Sequence, residues 1–522
     1  MTAKTGDEFY SIKEAWKSPE WPDWEKGIDT ELGQLWEKGT WELVDQPRDA
    51  VPLNNKWVFI RKRDREGNIQ RYKAWLVAKG YSQQPGHDYI EMHSPVVRLE
   101  TICTILAIAI TKGLEIQQMD VKGAYLNGTL KETIYMHQPN RYNNGSGRVY
   151  KLIKTLYGLK QSSREWNTKL NEKMWGQGFQ RLWSEPCTYT HSTNNKIAIV
   201  TVWVDNLLLF ADSVETMDKM KNDIRQEWDV TDMGEPTKIV GIEIAQTPRK
   251  ISIAQKHSIE TILQRQGLTN ANPVWMPLNP NVKIVSNPDG NEGNKSNSFA
   301  ELLGELQYIA NMTRPDIAFT VNRLALYTVN PSMQHITTLK CILQYLSGTQ
   351  EYEITYKSIP DYPTFKGFAN AAYGDREDGK STTGYVFLEA DGTITWHSRK
   401  QGVTAQSSTE AEYIALWESG KEASWLRNLH RKLGFPQWSP TMLMCDNTGA
   451  VAIAKNPTFH KRTKHINSHY HWIREKVQAG RFNVDFCRTA NQTANMLMKA
   501  LPRPKHECHT KEMGVASVWR GV

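Results

Sequence analysis

The sequence predicts a multidomain protein of mixed α/β and α+β class, and three observations support this prediction. At about 150 residues per domain, 522 residues correspond to three or four domains. Apolar residues make up 39% of the chain and charged residues 23%, a balance typical of proteins with a buried core. Strand-like and helix-like patterns alternate along the chain, and loops rich in Asn, Gly, Ser and Pro interrupt them at 280–297 and 357–363.

Composition narrows the functional classes without selecting one. The net charge of +8 permits an anionic partner such as nucleic acid, although an ordinary basic surface explains it equally well. The six cysteines form no Cys-x-x-Cys pair, which argues against a zinc ribbon and against a disulfide framework. No run of 18 apolar residues is present, and the polar N-terminus lacks the features of a signal peptide. We therefore expect no membrane partner.

Two hairpins and one apolar helix are predicted in the first half of the chain. Apolar runs at 56–61 and 75–79 flank a charged turn and predict a β-hairpin. The stretch 101–111 is apolar and helix-like. Two further apolar strands, 197–204 and 207–211, are separated by Asp205 and Asn206. Because Asp and Asn tolerate a positive φ, these two residues predict a tight hairpin turn.

The second half predicts an α/β order. Apolar residues recur at a spacing of 3.6 over 335–349, which indicates a helix. Strands at 383–388 and 393–396 surround a turn that begins at Ala390. A helix is predicted over 409–433, because Ser408 and Glu410 provide a cap and an acidic first turn. A strand at 441–446 and a helix from 448 follow, as expected for alternating α and β elements.

A pair of strand-borne carboxylates, Asp120 and Asp205, is the first candidate for chemistry. Asp120 ends one predicted strand, and Asp205 lies at the hairpin turn. Carboxylates on adjacent strand ends can bind Mg²⁺ ions and activate a hydroxyl for in-line phosphoryl transfer. The alternative is a capping Asp and a turn Asp without a shared role, which the two residues alone do not exclude.

Ordered motifs around these residues carry a family resemblance from about residue 8 to about 505. The polymerase-like motifs are Tyr72-Lys-Ala-Trp-Leu-Val-Ala-Lys-Gly, Met119-Asp-Val-Lys-Gly-Ala-Tyr, Leu156-Tyr-Gly-Leu-Lys-Gln and Val202-Trp-Val-Asp-Asn. The later motifs are Thr313-Arg-Pro-Asp, Ser407-Ser-Thr-Glu-Ala-Glu-Tyr, Asp446-Asn-Thr-Gly-Ala and Arg462-Thr-Lys-His. Together they resemble the copia-type (Ty/copia) LTR-retrotransposon reverse transcriptase and its ribonuclease H domain, which form the C-terminal part of a Pol polyprotein.

The resemblance implies a palm-fingers-thumb polymerase followed by a ribonuclease H-like domain. We expect a helical N-terminal lead-in over 1–40, a reverse transcriptase over 41–283 and a mainly helical connection over 284–362. The ribonuclease H-like domain is expected over 363–505, and a tail over 506–522. The activities implied are RNA-directed DNA synthesis and cleavage of the RNA strand of a hybrid.

The family's residue roles transfer position by position. In the polymerase, the metal carboxylates correspond to Asp120, Asp205 and a third position that is Asn206 here. Contacts to the nucleotide correspond to Lys73, Tyr125, Gly158 and Lys160. Contacts to nucleic acid correspond to Arg164, Arg462, Lys464 and His465. Trp75 stands where the family has Arg, which puts triphosphate binding in doubt.

The nuclease positions depart further from the family. The four catalytic positions, each a carboxylate in the family, are Asn370, Glu412, Asp446 and Asn495, so only Glu412 and Asp446 remain as metal ligands. An amide is nearly isosteric with a carboxylate, but it supplies one neutral oxygen and cannot neutralise two divalent ions. Several departures, including the three Asp-to-Asn changes at catalytic positions, correspond to single C-to-T or G-to-A changes. This direction suggests a decayed copy that suffered cytosine deamination, and a divergent lineage with relaxed function is the alternative.

The implied cofactor is Mg²⁺, with Mn²⁺ as a substitute. The implied partners are an RNA template, a DNA primer, an RNA–DNA hybrid and dNTPs, in the cytoplasm within a virus-like particle and with access to the nucleus. Three interpretations remain open: a polymerase with weak activity, a non-catalytic nucleic-acid-binding remnant, and a relic without a role. Sequence does not define the oligomeric state.

Overall fold

The computed structural model describes residues 8–9, 12–63, 68–193, 196–287, 296–359, 365–456 and 468–517. Helices and five β-sheets alternate through these residues, which confirms the predicted mixed multidomain class. No helix in the described ranges is both long enough and apolar enough to cross a membrane.

The N-terminal part combines two helices with a small antiparallel sheet. Its elements are β1 (Glu8–Phe9), α1 (Ile12–Lys17), α2 (Trp21–Glu37), β2 (Trp41–Val44), β3 (Asn55–Arg63) and β4 (Ile69–Ala78). Strand β3 pairs with both β1 and β4, so the predicted first hairpin is confirmed. Trp24 of α2 is fully buried and contacts Phe59 and Tyr72 edge-on, which fixes the helix on this sheet.

A six-stranded antiparallel sheet forms the centre of the first half. The elements here are α3 (Leu99–Lys112), β5 (Glu115–Val121), β6 (Thr129–Met136), β7 (Val149–Lys154), α4 (Ser162–Gly176), β8 (Gln180–Arg181), β9 (Thr188–Thr193), β10 (Lys196–Trp203), β11 (Asn206–Ala211), α5 (Val214–Glu227) and β12 (Val230–Gly234). The strand order is β12-β5-β11-β10-β9-β8, while β2, β7 and β6 form a separate sheet.

The predicted hairpin at 197–211 is present, but its turn lies one residue earlier than predicted. Trp203 pairs with Asn206, so the turn consists of Val204 and Asp205, and Asn206 begins β11. Val204 adopts a φ of 56°, a left-handed conformation that β-branched residues disfavour. The prediction failed because conformational propensity favours a positive φ at Asp or Asn more than at Val.

A third unit follows the central sheet. Its elements are β13 (Lys238–Ile239), β14 (Ile242–Thr247), β15 (Lys250–Ala254), α6 (Lys256–Arg265), α7 (Ser296–Met312), α8 (Pro315–Ala325), α9 (Met333–Gly348) and β16 (Tyr352–Lys357). Helix α9 confirms the periodicity seen at 335–349. Arg314 and Asp316 are fully buried and paired, with an Nη2–Oδ2 distance of 2.7 Å, so the start of α8 carries a satisfied internal ion pair.

The C-terminal part is a mixed sheet flanked by helices. Its elements are β17 (Lys366–Ala372), β18 (Thr382–Glu389), β19 (Gly392–Lys400), α10 (Ser408–Lys432), β20 (Thr441–Cys445), α11 (Thr448–Lys455), α12 (Trp472–Gln478), β21 (Phe482–Phe486), α13 (Arg503–Glu512) and β22 (Val515–Ser517). The order is β19-β18-β17-β20-β21, with β17, β20 and β21 parallel. Strand β22, within the expected tail, pairs with β16.

One apolar core crosses the expected domain boundaries. Helix α3 belongs to the expected polymerase, yet it packs on β16 and on β19 of the C-terminal sheet. The buried side chains of α3 and those of the C-terminal sheet lie in the same cluster. The division of the chain at the expected boundaries stays a prediction, since a shared core does not define where one domain ends.

Candidate functional site

The central sheet brings the predicted polymerase carboxylates together. Asp120 on β5 lies directly opposite Asn206 on β11, and Asp205 occupies the adjoining turn. Burial raises the pKa of Asp120, and the charge of Asp205 raises it further, while Lys73 opposes both effects. The two carboxylates are therefore close enough to repel each other, as expected at a cation site.

Asn206 is held by hydrogen bonds on both sides of its amide. Its Nδ2 donates to Oδ1 of Asp205 over 3.0 Å, and its Oδ1 accepts from Nε2 of Gln118, also over 3.0 Å. A carboxylate at 206 could not donate to Asp205. One oxygen of Asp205 therefore accepts a hydrogen bond from Asn206, and the side-chain oxygen of Asn206 accepts one from Gln118. Gln118 was not predicted as a site residue, because only the strand pairing reveals its position.

Tyr125, the predicted gate, follows a left-handed Gly123 in a short 3₁₀ turn, Ala124–Asn127. The hydroxyl of Ser163 on α4 donates to the Tyr125 hydroxyl over 3.1 Å. The Tyr157 ring meets the Tyr125 ring edge-on at 4.9 Å. Tyr125 is thus fixed between the end of β5 and α4, close to the carboxylates.

Gly158 and Lys160 lie in the connection between β7 and α4, where it contacts the end of β4. Gly158 has a φ of 93°, and a β-carbon there would lie 2.1 Å from the carbonyl oxygen of Ala78. Only glycine permits this contact. Lys160 donates from its backbone N–H to Oε1 of Gln83 and from Nζ to the Tyr89 hydroxyl over 3.1 Å. Both predicted residues therefore lie in one loop that packs on the end of β4.

Lys73 and Arg164, two of the predicted basic site residues, lie in different electrostatic surroundings. Burial lowers the pKa of Lys73, and the charge of Lys62 lowers it further, while Asp120 and Asp205 oppose these effects. Arg164 is engaged by two carboxylates, with 2.6 Å to Glu91 and 3.0 Å to Glu165. An incoming phosphate must displace those contacts before it binds Arg164. Arg462, Lys464 and His465 lie outside the described residues.

A pocket of about 500 Å³ adjoins the carboxylate turn. Its lining includes Tyr125, Lys160, Trp166 and the turn residue Val204. The indole Nε1 of Trp166 donates to the Val204 carbonyl over 2.7 Å and so supports the left-handed turn that carries Asp205. Trp166 lies five residues after the motif Leu156-Tyr-Gly-Leu-Lys-Gln, and no local signal indicated this long-range contact.

The C-terminal sheet brings the four predicted nuclease positions together. Asn370 lies on β17, Glu412 on α10, Asp446 directly after β20, and Asn495 in a 3₁₀ turn, Thr493–Leu497. Nδ2 of Asn370 donates to Oδ1 of Asn495 over 3.1 Å. Both amides are almost completely buried.

The surroundings of Glu412 favour the protonated form of its side chain. Burial raises its pKa well above the usual value, and the charge of Asp446 adds to this. Lys499 opposes the effect, and its own pKa is lowered by burial. Lys499 was not predicted as a site residue, although Asn495, four residues earlier, was. A buried carboxylate near a second one is a common feature of cation sites.

The two sites fit Mg²⁺ unequally. Within the described ranges, no group of three His, Cys, Asp or Glu side chains is arranged to bind a metal ion. Asp120 and Asp205 supply hard anionic oxygens that suit one Mg²⁺. At the C-terminal site, the amides of Asn370 and Asn495 bind each other, and of the four predicted positions only Glu412 and Asp446 are anionic, a set that does not fit a two-ion centre.

Comparison with known proteins gives consistent matches along the chain. The family described as reverse transcriptase (RNA-dependent DNA polymerase) matches residues 38–280. The chain is 38% identical over 518 residues to the retrovirus-related Pol polyprotein from transposon TNT 1-94 of Nicotiana tabacum, covering 97% of this chain and 39% of that polyprotein. It is 31% identical over 319 residues to a putative transposon Ty5-1 protein of Saccharomyces cerevisiae, covering 58% of this chain and 100% of that protein.

Among solved structures, a foamy viral protease-reverse transcriptase in complex with RNA/DNA hybrid aligns with a TM-score of 0.48 and 10% identity. The alignment covers 92% of this chain and 54% of that one. The chain spans about two fifths of the tobacco polyprotein that it matches.

Proposed function

The chain belongs to the copia-type family of retrotransposon reverse transcriptases, and from this premise we propose that it binds primed RNA templates but copies them slowly. The single observation that carries the proposal is the double hydrogen bond of Asn206. Position 206 is an amide, so the site keeps two carboxylates, Asp120 and Asp205. One oxygen of Asp205 already accepts a hydrogen bond from Asn206, and the Asn206 oxygen accepts one from Gln118.

Asp120 and Asp205 would hold the cation. When bound, Mg²⁺ supplies activation of the primer hydroxyl and charge neutralisation of the phosphates. The other residues position the substrates: Tyr125 borders the sugar of the incoming nucleotide, and Lys160 lies beside the template. Removing one of three metal-facing charges weakens cation binding, and this loss is expected to lower the rate of the chemical step.

Hybrid cleavage is proposed to be lost more completely than polymerisation. The C-terminal site keeps two anionic donors of four, and the two amides satisfy each other without a cation. No cleavage is expected from this site, because its donors do not fit a two-ion centre. Arg462 and Lys464, which the family resemblance assigns to nucleic-acid contact, fall between Asp446 and Asn495 in the sequence and favour a second candidate function, in which this part of the chain binds a hybrid without cutting it.

Primer extension tests the polymerase proposal. The Asn206→Asp variant is expected to extend a primed RNA template about 100-fold faster than the wild type, equivalent to about 3 kcal/mol of activation barrier. Mn²⁺ is expected to restore part of the wild-type rate, since it is less demanding of its ligands. Asp120→Asn in the Asn206→Asp background is the matched control and is expected to abolish the gain. Equal rates for wild type and Asn206→Asp would contradict the proposal.

Binding is measured separately from catalysis. The wild type is expected to bind an RNA–DNA hybrid without sequence preference, with an affinity that falls steeply as salt increases, because phosphate contacts dominate. Salt-independent binding, or no binding at low salt, would exclude a retained nucleic-acid cleft.

A further inference from the structure

The β3–β4 hairpin presents an aromatic ring beside two ammonium groups. Nζ of Lys73 lies 5.3 Å from the centroid of the Trp75 ring, and Nζ of Lys62 lies 5.9 Å from it. The strand register places Lys62 opposite Arg71, and Lys73 opposite Ile60. Alternation along each strand therefore puts Lys62, Arg71, Lys73 and Trp75 on one face of the hairpin. We name these four residues the stacking face.

The stacking face borders the polymerase carboxylates. Lys73 interacts electrostatically with Asp120 and Asp205, and Lys62 also acts on Asp120. Lys62 and Arg71 are exposed, while Trp75 is half-buried. The Trp75 ring is therefore partly covered by protein, and solvent reaches Lys62 and Arg71 beside it.

Resting on the nucleic-acid cleft proposed above, we propose that Trp75 stacks against one unpaired base of a single-stranded RNA or DNA segment, whose phosphates bind Lys62 and Arg71. Aromatic rings interleaved with cations are the usual surface for single strands, because every base has a π-face and every linkage has one negative charge. The segment that meets this face is the unpaired template ahead of the primer end.

Charge favours this ligand over a free nucleoside triphosphate. Asp120 and Asp205 already balance part of the charge of Lys73, whose Nζ lies 5.3 Å from the centroid of the Trp75 ring. A triphosphate concentrates several negative charges near those carboxylates, whereas a stacked base is neutral and keeps its single phosphate beside the exposed cations. Trp75 also lacks the planar row of donors that a guanidinium offers to phosphate.

The test compares two RNA–DNA hybrids that differ only in a template overhang. With the full chain, a hybrid carrying an overhang of about five nucleotides is expected to bind roughly tenfold more tightly than the blunt hybrid, as expected for one stacked base with its phosphates. Trp75→Ala is expected to remove this difference and leave the blunt affinity unchanged. Trp75→Phe, which keeps an aromatic ring, is expected to retain most of it.

The controls separate the possible failures. Trp438 is 89% exposed and lies far along the chain, so Trp438→Ala is the matched control and is expected to preserve the overhang preference. Unchanged blunt-hybrid affinity in Trp75→Ala shows that the variant is folded. If neither hybrid binds the wild type, the proposed function fails. If both bind equally, or if Trp75→Ala weakens only dNTP binding, the stacking face is refuted while the cleft remains.

Discussion

The side-chain amide of Asn370 donates to the side-chain oxygen of Asn495 over 3.1 Å, in a site where both are buried. The orientation of each amide follows from its second partner. The backbone N–H of Ala371 donates to Oδ1 of Asn370 over 2.7 Å, and Nδ2 of Asn495 donates to the Thr489 carbonyl over 2.7 Å. The pair is therefore complete without a cation, whereas two aspartates here would face each other as buried anions.

Hybrid cleavage is expected only when both positions are restored. The Asn370→Asp/Asn495→Asp double variant is expected to cut the RNA strand of a labelled hybrid, and the wild type to show no cleavage. Each single variant is expected to recover little, because ligands of one metal site act as a unit. Robust cleavage by the wild type would contradict this. An inactive double variant would instead indicate a defect in the substrate cleft.

The same double variant is expected to make stability depend on metal. In EDTA it should be less stable than the wild type by about 2 kcal/mol, because two buried carboxylates replace a hydrogen-bonded amide pair. Added Mg²⁺ should reverse this loss by binding the folded form. Denaturant melts of both proteins, with EDTA and with Mg²⁺, provide the measurement. A wild type that gains as much stability from Mg²⁺ as the double variant would disprove the explanation.

The burial of Glu31 is expected to make the stability of the protein depend on pH. This side chain of α2 is buried, which raises its pKa to about 7, although the Leu76 N–H donates to it over 3.3 Å. The unfolded chain has the lower pKa, so the stability contribution of Glu31 is present below about pH 4.5 and is lost as the pH rises through 7. Glu31→Gln is therefore expected to be about 2 kcal/mol more stable than the wild type at pH 8.

That difference should shrink as the pH falls toward about 5, where the buried carboxyl is protonated. Glu25→Gln, an exposed change on the same helix, serves as the control and is expected to leave stability within about 0.5 kcal/mol at both pH values. Denaturant melts at the two pH values measure both variants. A gain in Glu31→Gln that stays constant with pH would mean that burial of the charge is not its cause.

Gly158→Ala tests the contact between the end of β4 and the connection that joins β7 to α4. The added methyl meets the Ala78 carbonyl, and alanine disfavours the positive φ of 93° at this position, so we expect a loss of about 3 kcal/mol or more, together with loss of primer–template binding. Gly113→Ala is the comparison: its φ is also positive, at 64°, but its β-carbon meets open space. That variant should lose only about 1 kcal/mol and keep its binding.

Sequence patterns predicted local elements well and predicted contacts between distant residues poorly. The apolar stretch at 101–111 is part of α3, and α10 (Ser408–Lys432) matches the predicted 409–433 to within one residue at each end. The predicted position of the hairpin turn was wrong because of a tertiary contact. The indole of Trp166, on α4, stabilises the unusual backbone conformation of Val204. Such a contact depends on tertiary packing and leaves no periodicity in the sequence.

The candidate residues themselves came from ordered motifs, and their roles stay predictions. Motifs identified Asn370 and Asn495 as positions where a metal ligand has changed. They did not predict that the two side-chain amides form a hydrogen bond with each other. Gln118 and Lys499 escaped notice for the same reason. Each becomes relevant only when strand pairing or helix packing places it beside a carboxylate.

The packing of α3 on β16 and β19 has a consequence for how this protein loses structure. Since one apolar cluster joins the two halves, we infer that they melt as a single cooperative unit rather than one after the other. Cys103 lies inside this cluster, where burial raises the pKa of its thiol to about 12, so the thiol stays protonated and unreactive. Damage to either set of carboxylates therefore leaves cooperativity intact, whereas a cavity or an added charge in α3 would unfold both halves together.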